Sequence, residues 1–214
     1  MLAMLVAVLV LTGGVELLMG RCLFGPDGRF VREWGGPGSS PGEFSTPAGI
    51  SVSRDGRVYV VDIGNSRIEV FTTAGTFLAQ WPTDFETPRS LAIDGSGNVW
   101  AADFEQNELQ VFTAEGAVVR TLRLPDPQDG GIFGPYGVAV EPDGNLWVAD
   151  RFGFRLVEID PTGRILQSIN SFGAPPTLIS PAAAACAPDG DLYVTNQTGD
   201  ANGDTILVYG DRCH

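Results

Sequence analysis

Histidine is almost absent from this chain. Of its 214 residues one is a histidine, and it is the last, His214. That argues against a Ser-His or Cys-His nucleophile pair and against a histidine metal cluster. Basic residues are scarce as well: Lys and Arg number 13 against 26 Asp and Glu, a formal net charge of −13. Nucleic acid is held largely by basic side chains that neutralise phosphates, so a chain this acidic is no nucleic-acid binder, and an anionic membrane surface repels it equally. Charged residues make up only 18% of the whole while hydrophobic ones make up 43%. This balance belongs to a globular protein, and the length suffices for one domain with a real core. The cysteines are three, Cys22, Cys186 and Cys213, while Gly (28) and Pro (15) are plentiful enough for many tight turns.

The first 20 residues, MLAMLVAVLVLTGGVELLMG, lack charge apart from Glu16. They also lack the basic start and the A-x-A cleavage site of a secretory signal. Their length just meets the roughly 20 apolar residues of a single membrane anchor. Residues 1–20 are therefore read as a signal peptide or membrane anchor. The remainder, 21–214, is then extracytoplasmic, secreted or membrane-anchored, and it touches a membrane only through residues 1–20 if these stay uncleaved. A mis-chosen start codon or a truncated gene, with these residues standing in for part of an earlier repeat, is the alternative.

From there on the chain repeats itself. Pro47, Pro88, Pro135 and Pro181 recur at intervals of 41, 47 and 46 residues, a period typical of propeller blades. Each proline is followed at fixed spacing by a turn glycine (Gly56, Gly97, Gly144, Gly190), then an aromatic (Tyr59, Trp100, Trp147, Tyr193). An acid or amide comes next (Asp62, Asp103, Asp150, Asn196). Each copy reads as a short strand, a turn, a strand carrying the aromatic, a loop at the Asp, and a third strand (RIEVF, ELQVF, RLVEI, TILVY). Three copies add a fourth strand (TFLAQW, AVVRTL, RILQSI). Four short antiparallel strands make one blade. The fold class predicted is all-β: a β-propeller of four-stranded antiparallel blades, four in number, over residues 21–214. The last copy lacks a fourth strand, and LFGPDGRFVREWG at residues 23–35 supplies a matching one. Residues 29–35 are therefore expected to pair with 205–209 and close the ring, removing its exposed edges.

The entry P-x-G-I/V-x-V (Pro47 to Val52, Pro135 to Val140), the D-G turn, and the strand shown in full by Asn65, Arg67, Ile68, Val70 and Phe71 resemble the NHL repeat family. The resemblance covers residues 23–214 and implies a β-propeller. That family more often has six blades, so an incomplete fragment of a six-bladed propeller stands as the alternative to a four-bladed ring. The resemblance also implies two catalytic possibilities, since some such propellers are lyases that rely on histidines and related ones are metal-dependent lactone hydrolases.

The rim around the axis is where propellers bind partners. The residue after each leading proline is Ala48, Arg89, Tyr136 or Ala182, so Arg89 and Tyr136 interrupt a small-residue position. With Arg151, Phe152 and Phe154 of the loop RFGFR they are the candidate ligand-binding residues. The repeated Asp62, Asp103, Asp150 and Asn196 read as structural, each opening its loop as an Asx-type turn, with Arg67 and Arg155 placed to pair. A carboxylate-only calcium site formed by Asp62, Asp103 and Asp150 around the axis is the competing reading. Asp200, Asn202 and Asp204 alternate like the start of a calcium loop, but Thr205 stands where glycine is needed. A solvated loop, with no cofactor, is therefore the preferred reading there. Cys22 and Cys213 both fall near the outer turn of the closing blade and are expected to form a disulfide if the protein is exported. Cys186, at an aliphatic position of the repeat, is read as a buried small hydrophobe.

The function expected is an exported, non-catalytic binding module that recognises a protein, peptide or glycan through its rim. A calcium-dependent hydrolase or lyase is the second reading, and a fragment of a larger propeller or sensor the third.

Overall fold

The computed structural model describes residues 18–19, 22–24, 30–82, 87–126, 130–170, 180–197 and 204–213. The molecule is an all-β, four-bladed β-propeller with an additional small sheet at its N-terminal side. The first blade is β4 (Pro47–Val52), β5 (Arg57–Asp62), β6 (Arg67–Thr72) and β7 (Phe77–Pro82). The second is β8 (Pro88–Ile93), β9 (Val99–Asp103), β10 (Glu108–Phe112) and β11 (Val118–Arg123). The third is β12 (Pro135–Val140), β13 (Leu146–Asp150), β14 (Arg155–Ile159) and β15 (Ile165–Asn170). The fourth has three described strands, β16 (Pro181–Cys186), β17 (Leu192–Asn196) and β18 (Thr205–Tyr209). All pairings within the blades are antiparallel between sequential strands.

The repeat explains this regularity. Gly56, Gly97, Gly144 and Gly190 turn the chain between first and second strands with φ between 83° and 95°, a region that costs a residue with a Cβ. The middle two strands of the first three blades are buried on both faces, which is why their apolar residues run on without alternation. The outermost strands β7, β11 and β15 expose much of their length. First strands of successive blades touch: β4 meets β8, β8 meets β12, and β12 meets β16. The contact needs small residues. A Cβ on Gly49 would lie 2.8 Å from the Cα of Ser90, and one on Gly137 would lie 2.7 Å from the Cα of Ala183.

The N-terminal strand departs from expectation. β1 (Leu18–Met19), β2 (Cys22–Phe24) and β3 (Phe30–Glu33) form their own sheet, in the order β1-β2-β3. The strand expected to pair with residues 205–209 pairs instead with Cys22–Phe24, and β18 pairs with β17. A hairpin between adjacent segments is favoured over closure of the whole chain because closure entropy grows with loop length, by about 0.6 kcal/mol per doubling. Trp34, the residue after β3, packs on the first blade as Trp81 and Leu122 pack on the second and third. A Cβ on Gly75 would lie 2.8 Å from the ring of Trp34, one on Gly116 would lie 2.4 Å from Trp81, and one on Gly163 would lie 3.0 Å from Leu122. These three side chains, just past β3 and near the ends of β7 and β11, fill the turn of the blade that follows each.

The disulfide also differs from expectation. Cys213 is bonded to Cys186, with the Cα atoms 5.7 Å apart, and not to Cys22. Cys186 is thus a disulfide partner rather than an inert hydrophobe. The cause is local: after β18 the chain folds back so that the N–H groups of Arg212 and Cys213 both donate to the Gly190 carbonyl. This sets Cys213 beside the end of β16 in its own blade, against Trp147 of the third. Cys22 belongs to the N-terminal sheet, which flanks the first blade.

Candidate functional site

Each blade builds its axial loop in the same way, from the carboxylate outward. Asp62, Asp103, Asp150 and Asn196 are buried, and their side-chain oxygens accept backbone N–H groups. Asp62 accepts from Ser45 and Thr46, both at 2.9 Å. Asp103 accepts from Glu105 and Gln106, Asp150 from Phe133 and Gly153, and Asn196 from Ser180. These contacts satisfy loop donors that would otherwise be buried without partners. Two arginines extend the arrangement. Arg155 donates to Asp150 at 2.9 Å and to the carbonyls of Gly130 and Gly131. Arg67 pairs with Asp62 and Glu69 and donates to the carbonyls of Ser39, Ser40 and Glu43. Burial pushes the Glu69 carboxyl above its ordinary range, against the opposing pull of the Gly42 N–H and Arg67. Carboxylate and arginine together therefore tie the segment between blades to the loop it precedes.

The residue after each of these acids is pinned by one further bond. The N–H groups of Ile63, Phe104, Arg151 and Gln197 donate to the carbonyls of Thr46, Thr87, Gly134 and Ser180 at 3.0–3.4 Å. Four loops thus hold four side chains in equivalent places beside the first strands, and those side chains are unlike one another. In the second and third blades they meet the residues after the leading prolines. The Arg89 guanidinium carbon lies 5.3 Å from the centre of the Tyr136 ring and 5.8 Å from that of Phe104. That of Arg151 lies 4.4 Å from Tyr136. Phe104 meets Tyr136 edge-on at 5.6 Å and Phe152 at 5.4 Å, and Phe152 meets Phe133 at 5.3 Å. Arg151 also donates to the Gln197 side chain of the fourth blade at 2.9 Å.

Of the candidate ligand-binding residues, Arg89, Tyr136, Arg151 and Phe152 come together. Phe154 does not join their ring contacts. It is exposed and sits at φ 53°, at the turn position that Ser66 and Asn107 hold in the preceding blades. Phe104, Phe133 and Gln197 belong to the cluster and were not among the candidates. Phe104 and Gln197 share the register of Arg151, so the repeat spacing carried that signal. Phe133 lies in an inter-blade segment with no fixed register. The cations of the cluster are arginines, as are all 13 basic residues of the chain. Among the described residues neither Arg89 nor Arg151 enters an ion pair. Beside the cluster is a shallow cleft of about 300 Å³, lined by Phe133, Phe152, Gly153, Arg155 and Asn170 among others.

The carboxylates of Asp62, Asp103 and Asp150 turn to backbone donors and arginines. Among the described residues they do not form a group with converging ligand atoms. Of the calcium-loop candidates Asp204 is exposed, and Asp200 and Asn202 lie outside the described residues.

Comparison with known proteins gives three findings. Residues 39–210 match the model of the virginiamycin B lyase family. Human E3 ubiquitin-protein ligase TRIM32 is 46% identical over 46 residues, which is 22% of this chain and 7% of that protein. Among solved structures, a protein of unknown function from Bacteroides caccae superposes with a TM-score of 0.71 at 18% identity, covering 97% of this chain and 78% of its own. A catalytically inactive histidine-to-alanine variant of virginiamycin B lyase from Staphylococcus aureus, with quinupristin, superposes with a TM-score of 0.62 at 20% identity, covering 96% and 70%. At these identities the structural likeness is one of fold.

Proposed function

The chain belongs to the virginiamycin B lyase family, and from that premise we propose that it works outside the cytoplasm as a non-catalytic propeller of NHL-type blades. Its axial rim holds a protein, peptide or glycan ligand. The observation that carries the reading is the pairing of a repeated scaffold with an unrepeated display. Four identically pinned loops present Ile63, Phe104, Arg151 and Gln197, and arginines and aromatics concentrate where the second and third blades meet. Such residues dominate binding hot spots because they offer large contact area with directed polar groups. The Cys186–Cys213 disulfide supports export, since reducing compartments keep thiols free. No calcium or other cofactor takes part in this reading, and nucleic acid is no partner.

The test is calorimetry with a partner captured from the extracellular medium. The double variant Arg151→Ala, Phe152→Ala is expected to weaken binding by about 1–3 kcal/mol with little change in melting temperature. Equal affinities would move the binding surface away from the rim.

Family membership favours one second reading, a lyase acting on a compound such as quinupristin. In the Staphylococcus aureus enzyme a histidine-to-alanine variant is catalytically inactive, whereas this chain has His214 alone. Incubation with quinupristin followed by chromatography decides between the two: intact compound is expected, and its progressive loss would establish lyase activity.

A further inference from the structure

The two rim arginines differ from Arg67 and Arg155, the other arginines beside the axial loops. Arg67 and Arg155 each face a buried carboxylate and several carbonyls. Arg89 and Arg151 face aromatic rings. Both guanidinium carbons lie within 5.3 Å of the centre of one ring, that of Tyr136. Two cations on one ring repel each other, and neither has a carboxylate partner among the described residues. Arg89 Nε and Arg151 Nη1 are enclosed and have no hydrogen-bond acceptor there. Arg151 uses Nη2 on Gln197, a neutral acceptor. Buried donors are normally satisfied, and a guanidinium fork matches an oxyanion better than any other group. Among the described residues the arrangement is a pair of cations that meets rings and a neutral amide but no carboxylate, in a protein whose net charge is −13.

We infer that Arg89, Tyr136 and Arg151 form an oxyanion subsite, with Phe104 and Phe152 as its apolar wall. The ligand group it takes is a carboxylate or phosphate borne on an aromatic or similarly flat apolar body. The oxyanion bridges the two guanidinium groups, and the body stacks along the ring series Tyr136, Phe104 and Phe152, whose centres follow one another at 5.4–5.6 Å. The inference rests on the reading of the rim as the binding surface and specifies what that surface recognises. The other blades do not offer the same site, because Ala48 and Ala182 replace Arg89 and Tyr136.

The experiment titrates the intact protein with N-acetyl-phenylalanine, with its neutral amide and with phenyl phosphate, following side-chain NMR signals of arginine and tyrosine. The acid is expected to bind at least about tenfold more tightly than the amide and to shift the signals of Arg89, Tyr136 and Arg151. Arg89→Met and Arg151→Met should each bring the acid-over-amide preference close to one. Arg89→Lys, which keeps the charge and loses the fork, should fall between parent and Arg89→Met. Phenyl phosphate binding with the same arginine dependence supports the subsite and identifies phosphate as its source. Equal binding of acid and amide, or no binding of either anion at millimolar concentration, overturns the subsite. If the subsite fails while Arg151→Ala, Phe152→Ala still weakens a captured partner, the rim reading stands without it. If that variant is also silent, both fall.

Discussion

Asp150 and Arg151 are adjacent in one loop and do opposite work. Asp150 is buried, repeats in three blades out of four and spends both oxygens on its own fold. Arg151 is pinned by its backbone in the same way in every blade, yet its side chain is matched by Ile63, Phe104 and Gln197 elsewhere. The first position is a girdle that makes the loops alike, and the second is a display that makes them different. The carboxylates turn to backbone donors of their own loop and of the segment before it, whereas the rim arginines turn to aromatic rings and a neutral amide.

The girdle should break hardest. Asp150→Ala strands Arg155 and leaves the N–H groups of Phe133 and Gly153 without their acceptor. Loss of one member of a buried charged pair costs about 3–5 kcal/mol, measurable by urea denaturation. The fourth blade sharpens the comparison, because its girdle residue is the neutral Asn196 and its brace is covalent. Replacing Cys186 and Cys213 with Ser should cost about 3.5 kcal/mol, the chain-entropy value for a loop of this length. Amides of β16 to β18 should then lose hydrogen-exchange protection before the rest. Display residues should behave differently. Arg89→Met removes a cation that has no carboxylate partner, and an enclosed Nε that has no acceptor, among the described residues, so stability should hold or rise by up to about 1 kcal/mol. The smallest effect concerns acid sensitivity at an outer turn. The Thr162 hydroxyl, together with Arg164 and backbone N–H groups, holds Asp160 at a pKa of about 2. A depressed folded pKa contributes stability that is present above the unfolded value near 3.8 and is lost as pH falls through about 2. Asp160→Asn should therefore show a shallower loss of stability between pH 4 and pH 2 than the parent.

Much of the scaffold was legible because it is written four times. The proline, glycine, aromatic and acid spacing located the strands and turns of all four blades, and the repeat placed Arg89, Tyr136 and Arg151 on one rim. What escaped was set by contacts the repeat does not encode. The hairpin LFGPDGRFVREWG was recognised as a turn and an outer strand, but Cys22–Phe24 is too short to announce itself as the strand that pairs with it. Cys213 finds Cys186 because the tail after β18 folds back onto Gly190, a local path with no periodic signature. Phe104 and Gln197 stood in the same register as Arg151, but register alone does not say which side chains touch. Phe104 gains its role from meeting Tyr136 across two blades.

The central claim is that the girdle holds the loops while Arg89, Tyr136 and Arg151 hold the ligand. A competition experiment tests it most directly. A labelled captured partner is displaced from the intact protein by N-acetyl-phenylalanine or by its amide, followed by fluorescence anisotropy. The expected result is displacement by the acid at the concentration at which it occupies Arg89 and Arg151, with the amide ineffective there. Retention of the partner when the acid saturates those residues would contradict the account.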